Sequence, residues 1–129
     1  MNTVEGILES FVTADTISNL KIKTELGEFY CLVLETPQTA DYIKVGKNLK
    51  LLLKEGDFIL TRERIYPFNS FEAKVKEVEV SEILVRVKLT SGKYEFVALI
   101  TKQEFEHLSI KPEDYVFLFV KATNIILEV

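Results

Sequence analysis

The sequence predicts an all-β protein made of two small five-stranded antiparallel barrels in tandem. Three observations lead to this prediction: apolar residues alternate with charged residues in short runs, glycine-containing turns separate the runs, and the order of segments occurs twice. A chain of 129 residues is too short for two domains of ordinary size, but it is long enough for two very small ones.

Alternation with a period of two residues identifies the half-buried strands. It occurs in Leu20–Lys23, Val75–Val80 and Val85–Leu89. Other apolar runs are too short for typical helices and are predicted to be strands that line the barrel interiors: Tyr30–Leu34, Leu49–Leu53 and Val116–Val120. Gly27 and Gly92 lie between strand runs, where glycine supplies the positive φ that a tight hairpin needs.

Two segments carry signals for the start of a helix. Thr101 followed by Glu104 is a capping box, in which each side chain accepts a hydrogen bond from the other residue's backbone N–H. Thr36 before Pro37 is predicted to be a second N-cap. Proline is common at the first position of a helix, because the backbone N–H that it lacks would have no hydrogen-bond acceptor within the helix. Each barrel is therefore expected to contain one short capped helix.

An internal repeat relates the two halves of the chain. Gly6–Phe11 aligns with Ala73–Val78, and the segments that begin at Lys54 and Lys121 align at the same spacing. In the segment between these two alignments, Gly27 aligns with Gly92 only if equivalent positions of the two repeats are slightly closer together in the sequence. This difference predicts that the second repeat has a shorter hairpin and a longer helix loop.

The repeat predicts two domains, 1–62 and 63–129, with an aromatic linker over residues 62–70. Each repeat contains five short strands, with one helix before the last pair. This order favours an OB-type barrel. The fold class expected from the sequence is therefore two OB-type five-stranded antiparallel barrels in tandem, each with one short capped helix.

Composition argues against several classes of function. Lys and Arg number 16 against 20 Asp and Glu, so the net charge of −4 gives no broad positive field for nucleic acid or an anionic membrane. Cys31 is the single cysteine, which argues against a disulfide or a zinc cluster and favours a cytoplasmic location. The sequence contains no signal peptide, membrane-spanning run, nucleophile–base pair or phosphate loop pattern, so an enzyme is not expected.

The second repeat resembles the TOBE/Mop domains of molybdate-binding proteins. The resemblance rests on Phe96–Gln103, Ile110–Val116 and Val120–Leu127, where the family has I-T-K-E, a helix, G-D-x-V and a closing strand I-K-A-S/T-x-V. The first repeat keeps the loop at Val45–Leu49 and the closing strand at Leu53–Phe58. Two copies in tandem look like a di-Mop unit of the molbindin-like, stand-alone kind.

The resemblance implies that a tetrahedral oxyanion, molybdate or tungstate, is bound between subunits for storage, homeostasis or sensing. It also implies a homo-oligomer, with a trimer favoured over a dimer. Lys121, Ala122 and Thr123 would bind the anion, because amides, a hydroxyl and an ammonium can hold it without a protein-ligated metal. Lys54 is the counterpart of Lys121 in the first repeat, although the neighbouring Glu55 would repel an oxyanion.

The family also has a Ser-Ala-Arg-Asn stretch that opens each copy. It aligns with Tyr66–Asn69, so Asn69 is retained and Phe68 replaces the arginine. Asn2 is the corresponding residue of the first repeat. The resemblance therefore implies that Asn69 and Asn2 also belong to the oxyanion sites.

Two alternatives remain open from the sequence. An OB-type module could bind single-stranded nucleic acid by stacking bases on Phe68, Phe71, Tyr66 and Tyr94, although the negative net charge argues against it. An assembly-only domain could have lost its ligand sites, and Lys121 would then be a strand-end lysine that faces water. Apolar residues expected to supply a subunit interface are Phe117, Phe119, Phe68 and Tyr115.

Overall fold

Ten strands, one α-helix and two 3₁₀ turns make up residues 2–129, which are the residues described by a computed structural model of the chain. In the first repeat the strands are β1 (Asn2–Ala14), β2 (Ile17–Thr24), β3 (Gly27–Val33), β4 (Asn48–Leu53) and β5 (Ile59–Thr61). In the second repeat the elements are β6 (Ser70–Val80), β7 (Leu84–Ser91), β8 (Tyr94–Thr101), α1 (Lys102–Leu108), β9 (Tyr115–Phe119) and β10 (Ile126–Glu128). The predicted all-β fold is confirmed.

The two five-stranded sheets exchange their closing strands. The first sheet has the order β10-β4-β1-β2-β3, and the second has the order β5-β9-β6-β7-β8. Ile59 on β5 pairs with Phe119 on β9, and Ile126 on β10 pairs with Leu52 on β4, both antiparallel. Each sheet therefore contains four strands of one repeat and the last strand of the other.

Equivalent positions of the two repeats keep one constant spacing along the barrel strands. The β-bulge at Leu8–Ser10 in β1 recurs at Val75–Glu77 in β6. The hairpins are also equal in length, because Thr24 pairs with Gly27 in the first and Ser91 pairs with Tyr94 in the second.

The predicted change of spacing at the hairpins is therefore wrong. Gly27 pairs with Thr24 at the end of its turn, with a φ of 116°, whereas Gly92 lies inside its turn, with a φ of 57°. Both positions need a positive φ, so each hairpin uses a glycine, but at a different point of the turn. Aligning the two glycines consequently shifts the register.

The inward-facing side chains of both repeats form a single hydrophobic cluster. Phe96 of β8 lies at its centre, with ring centroids 4.8 Å from Phe71 and 6.0 Å from Phe58. Phe71 also contacts Phe29 of the first repeat at 6.1 Å. Burial of each such ring contributes about 2–3 kcal/mol, so the repeats stabilise each other through shared core side chains.

The helix predicted after Thr101 is confirmed. The Thr101 hydroxyl accepts from the Glu104 N–H at 3.1 Å, and the Thr101 N–H donates to Glu104 Oε1 at 2.9 Å. The helix ends at Ser109, whose φ of 52° lies in the left-handed region.

The helix predicted after Thr36 is wrong. The Thr36 carbonyl accepts from the Ala40 N–H at 2.9 Å, but separate turns follow at residues 41–42 and 45–46 and no helix forms. The Thr36 hydroxyl does cap this turn, since it accepts from the Gln38 N–H at 3.2 Å. However, the Thr39 hydroxyl donates to the Thr36 carbonyl at 3.2 Å and so competes for the acceptor of the first helical hydrogen bond. Ala40 and Ile43 are both buried, which directs the chain into the core before a helix can extend.

The segments at Lys54 and Lys121 differ from the predicted continuous closing strands. Each lysine is extended and precedes a 3₁₀ turn, Glu55–Asp57 in the first repeat and Ala122–Asn124 in the second. The turn redirects the chain toward the other sheet, where β5 and β10 pair. Among residues 2–129, no helix has the length and apolar character needed to cross a membrane.

Candidate functional site

Two equivalent turns contain four of the six predicted anion ligands, Lys54 in one and Lys121, Ala122 and Thr123 in the other. The Lys54 turn comprises residues 54–57, and the Lys121 turn comprises residues 121–124. The Asp57 N–H donates to the Lys54 carbonyl at 3.0 Å, and the Asn124 N–H donates to the Lys121 carbonyl at 2.9 Å. The backbone of Lys54 has φ −72° and ψ 142°, and that of Lys121 has φ −65° and ψ 145°. The two turns therefore present their side chains on closely similar backbones.

Each turn packs against a strand of the opposite repeat. The Lys121 turn contacts β3 of the first repeat, and the Lys54 turn contacts β8 of the second. The Cys31 thiol of β3 donates to the Ile125 carbonyl at 3.4 Å, just after the Lys121 turn. Burial raises the pKa of this thiol to about 12, so it stays protonated as a donor at neutral pH.

Asn69 joins the Lys121 turn to β3. Its side-chain amide donates to the Val120 carbonyl at 2.9 Å and to the Tyr30 carbonyl at 3.0 Å, and its Oδ1 accepts from the Tyr30 N–H at 2.6 Å. Asn69 is only 1% exposed, with a φ of 53° that asparagine tolerates better than most residues. The predicted ligand Asn69 thus lies beside the Lys121 turn, but its side chain binds backbone groups.

Asn2 makes the same contacts at the Lys54 turn. Its side-chain amide donates to the Leu53 carbonyl and to the Val97 carbonyl, both at 3.0 Å, and its Oδ1 accepts from the Val97 N–H at 2.8 Å. Val97 belongs to β8 of the second repeat. The structure therefore groups Asn2 with Lys54 and Asn69 with Lys121, and each group includes a strand of the other repeat.

The Lys121 turn has the chemistry of an anion site. Lys121 and Thr123 are exposed, Ala122 is half-buried, and the turn contains no acidic residue. Within residues 2–129, Lys121 forms no ion pair with a carboxylate, so its ammonium is available to a ligand. An ammonium, a hydroxyl and a small residue that exposes backbone are grouped here in one short turn.

The Lys54 turn differs in charge. Lys54 Nζ lies 3.5 Å from Asp57 Oδ2, and Glu55 adds a second carboxylate to the same turn. Asp57 Oδ2 is buried and has no hydrogen-bond partner within residues 2–129. Sequence reasoning identified Glu55 but missed Asp57, although the spacing of three residues from Lys54 could have indicated the pair.

Comparison with known proteins finds one matching family and a solved structure of similar fold. The TOBE domain family matches residues 67–127. The second repeat is therefore similar to a TOBE domain over almost its whole length. No curated protein sequence matches the chain. A solved structure of the cytoplasmic molybdate-binding protein ModG, in a PEG-grown crystal form with molybdate bound, is 22% identical to it. The match has a TM-score of 0.87 and covers 99% of this chain and 95% of ModG, so the two chains share their fold.

The predicted linker between the two repeats is packed rather than free. The Phe68 ring makes an edge contact with Tyr30 at 5.3 Å and stacks on Tyr66 at 5.4 Å, and Tyr66 lies 5.1 Å from Phe119. Phe68 thus fills an aromatic cluster where the resemblance has an arginine. Phe119 is only 7% exposed, because the linker of the same chain packs against it.

The exposure of the aromatic side chains tests two expectations from the sequence, a base-stacking surface and a subunit interface. Phe71 is 2% exposed, so it cannot belong to a base-stacking platform on the surface. The expected interface role of Phe119 is also wrong, since little of its ring remains accessible. Tyr115 is 56% exposed and stays available to a partner.

A separate groove of about 830 Å³ is lined by residues of the first sheet. It is lined by residues that include Gly6, Ile7, Lys23, Asn48 and Lys50. The equivalent groove on the second repeat measures about 370 Å³, and there Tyr115 occupies the position of Asn48. Neither groove contains a predicted anion ligand, so the candidate site is a surface turn rather than a cavity.

Proposed function

We propose that the chain binds a tetrahedral oxyanion, molybdate or tungstate, and does so without catalysing a reaction. The observation that carries the proposal is the Lys121 turn, where an unpaired ammonium and the Thr123 hydroxyl lie together with no carboxylate in the turn. The TOBE match to the same repeat and the fold shared with ModG, whose structure holds molybdate, support this choice of ligand.

A dianion with four oxygens needs more donors than this turn offers on its own. Lys121 and Thr123 are exposed, so one chain contacts only one side of a bound anion and leaves the other side open. We infer that a second copy of the chain supplies the remaining donors, which places the sites between subunits of a homo-oligomer. The preference for a trimer over a dimer rests on the resemblance to the Mop family alone.

The tandem architecture fits an intracellular role in storage, homeostasis or sensing. We propose that residues 1–62 and 63–129 are two TOBE-like repeats, of which the first retains the fold and a weaker site at Lys54. Asp57 and Glu55 lower the affinity of that site for an anion, because one pairs with the lysine and both repel an oxyanion. ModG is a cytoplasmic protein, and we propose the same location for this chain.

Isothermal titration with molybdate, tungstate and sulfate tests this function. The wild-type chain is expected to bind molybdate and tungstate, and Lys121→Ala is expected to weaken binding by about tenfold or more, since it removes a charge-assisted hydrogen bond. Lys111→Ala is the matched control, because Lys111 is an exposed lysine of the same repeat outside the turn. Absence of heat with all three anions would contradict the proposal.

A further inference from the structure

We propose that Asn69 is a positioning residue for the Lys121 turn and that it acts through Val120 rather than by touching the anion. Asn2 has the same role at the Lys54 turn. The inference rests on the proposed function, because it concerns the geometry of the proposed anion site. It changes the expected role of both asparagines from ligands to residues that orient the ligands.

The hydrogen bonds of Asn69 leave no side-chain donor for an anion. The two hydrogens of its amide go to the Val120 and Tyr30 carbonyls, at 2.9 and 3.0 Å. An anion accepts hydrogen bonds, and the side-chain NH₂ group of asparagine has only two hydrogens to donate. Because Asn69 is 1% exposed, a bound anion would also have to displace the surrounding chain to reach it.

The contact with Val120 fixes the orientation of the peptide that enters the turn. Val120 donates its N–H to the Asn69 carbonyl at 3.0 Å and receives the Asn69 amide on its own carbonyl. In a planar trans peptide the carbonyl and the next N–H point in opposite directions. Since the Val120 carbonyl points at Asn69, the N–H of Lys121 points away from Asn69.

The same asparagine connects this orientation to the first repeat. It binds both backbone groups of Tyr30 in β3, and the neighbouring Cys31 binds the Ile125 carbonyl at the far end of the turn. The Lys121 turn is thus held at both ends by one strand of the other repeat. The Asn2 contacts with Val97 give the Lys54 turn an equivalent link to β8.

The pair of equivalent asparagines provides the test. Asn69→Gly and Asn2→Gly each remove one such side chain, and glycine accepts the positive φ of residue 69. Both substitutions are made in a Lys54→Ala chain, so that titration with molybdate measures the Lys121 turn. Asn69→Gly is expected to weaken molybdate binding by about tenfold, whereas Asn2→Gly changes it by less than about twofold.

Amide chemical shifts of the anion-free protein give a second measurement. We expect the Lys121 N–H resonance to move in Asn69→Gly and to stay in place in Asn2→Gly, although both variants lose thermal stability. Equal losses of molybdate affinity in the two variants, with wild-type binding intact, would overturn the positioning role alone. Failure of the wild-type chain to bind molybdate would instead overturn the proposed function, and the positioning role with it.

Discussion

The Lys54 turn and the Lys121 turn have the same backbone and opposite chemistry. Both follow an inner strand, both are held by an asparagine, and both lead into an exchanged strand. The first contains Glu55 and Asp57, whereas the second contains Ala122, Thr123 and Asn124. The comparison teaches that the fold builds the same turn twice, while the side chains at three equivalent positions set the charge of each turn.

The largest effect on molybdate affinity is expected when a carboxylate like that of the Lys54 turn is introduced into the Lys121 turn. Ala122→Glu introduces the equivalent of Glu55 beside Lys121, and a carboxylate within a few ångströms of an oxyanion repels it. We expect molybdate affinity to fall by about a hundredfold in isothermal titration. Ala122→Gln, which is similar in size and uncharged, is the control, and an equal loss in the two variants would contradict the charge argument.

The converse change should improve the first turn. Glu55→Ala with Asp57→Asn removes both carboxylates and releases Lys54 from its partner at 3.5 Å. We expect the Lys54 turn to gain about tenfold in molybdate affinity, measured by titration in a Lys121→Ala chain. No gain over the Lys121→Ala parent would show that charge is not what distinguishes the two turns.

A smaller effect is expected in the loops that precede the two turns. Gly46 has a φ of 91° in the first repeat, and the equivalent Glu113 has a φ of 81°, a conformation that glycine adopts without strain. Glu113→Gly is therefore expected to raise the Tm by about 2 °C in thermal unfolding at neutral pH. The substitution also removes an exposed ion pair with Lys74, which contributes little.

The pH dependence of that variant follows from the same ion pair. A hydrogen bond from Lys74 lowers the pKa of the Glu113 carboxyl, so its stabilising contribution is present above its unfolded pKa and is lost as the pH falls through the folded value. The Tm advantage of Glu113→Gly over the wild type should therefore increase toward acid pH. An advantage that shrinks toward acid pH would contradict the assigned pair.

Local features of the fold could be predicted from the sequence because they depend on neighbouring residues. The strands of the second repeat follow from alternation, and the helix at Thr101 follows from a capping box that spans four residues. The strand exchange could not be predicted in this way. Ile59–Thr61 has the same propensity for a strand whether it pairs with β4 or β9, so only tertiary packing selects the partner.

The grouping of the candidate site residues could be predicted from the sequence, but the hydrogen bonds of the asparagines could not. The constant spacing of the repeat paired Lys54 with Lys121 and Asn2 with Asn69, and the structure brings each asparagine to its lysine's turn. The roles of the asparagines depend on Tyr30 and Val97, which lie far away in the chain. Long-range hydrogen bonds of this kind leave no local pattern in a sequence.

The central claim is that the oxyanion occupies the Lys121 turn. Anomalous diffraction from a crystal soaked with tungstate tests it most directly, because the heavy atom identifies its own position. We expect the strongest peak within hydrogen-bond reach of Lys121 Nζ and Thr123 Oγ1, and a weaker peak or none at Lys54. A peak confined to the groove between Lys23 and Lys50, with none at Lys121, would contradict the account.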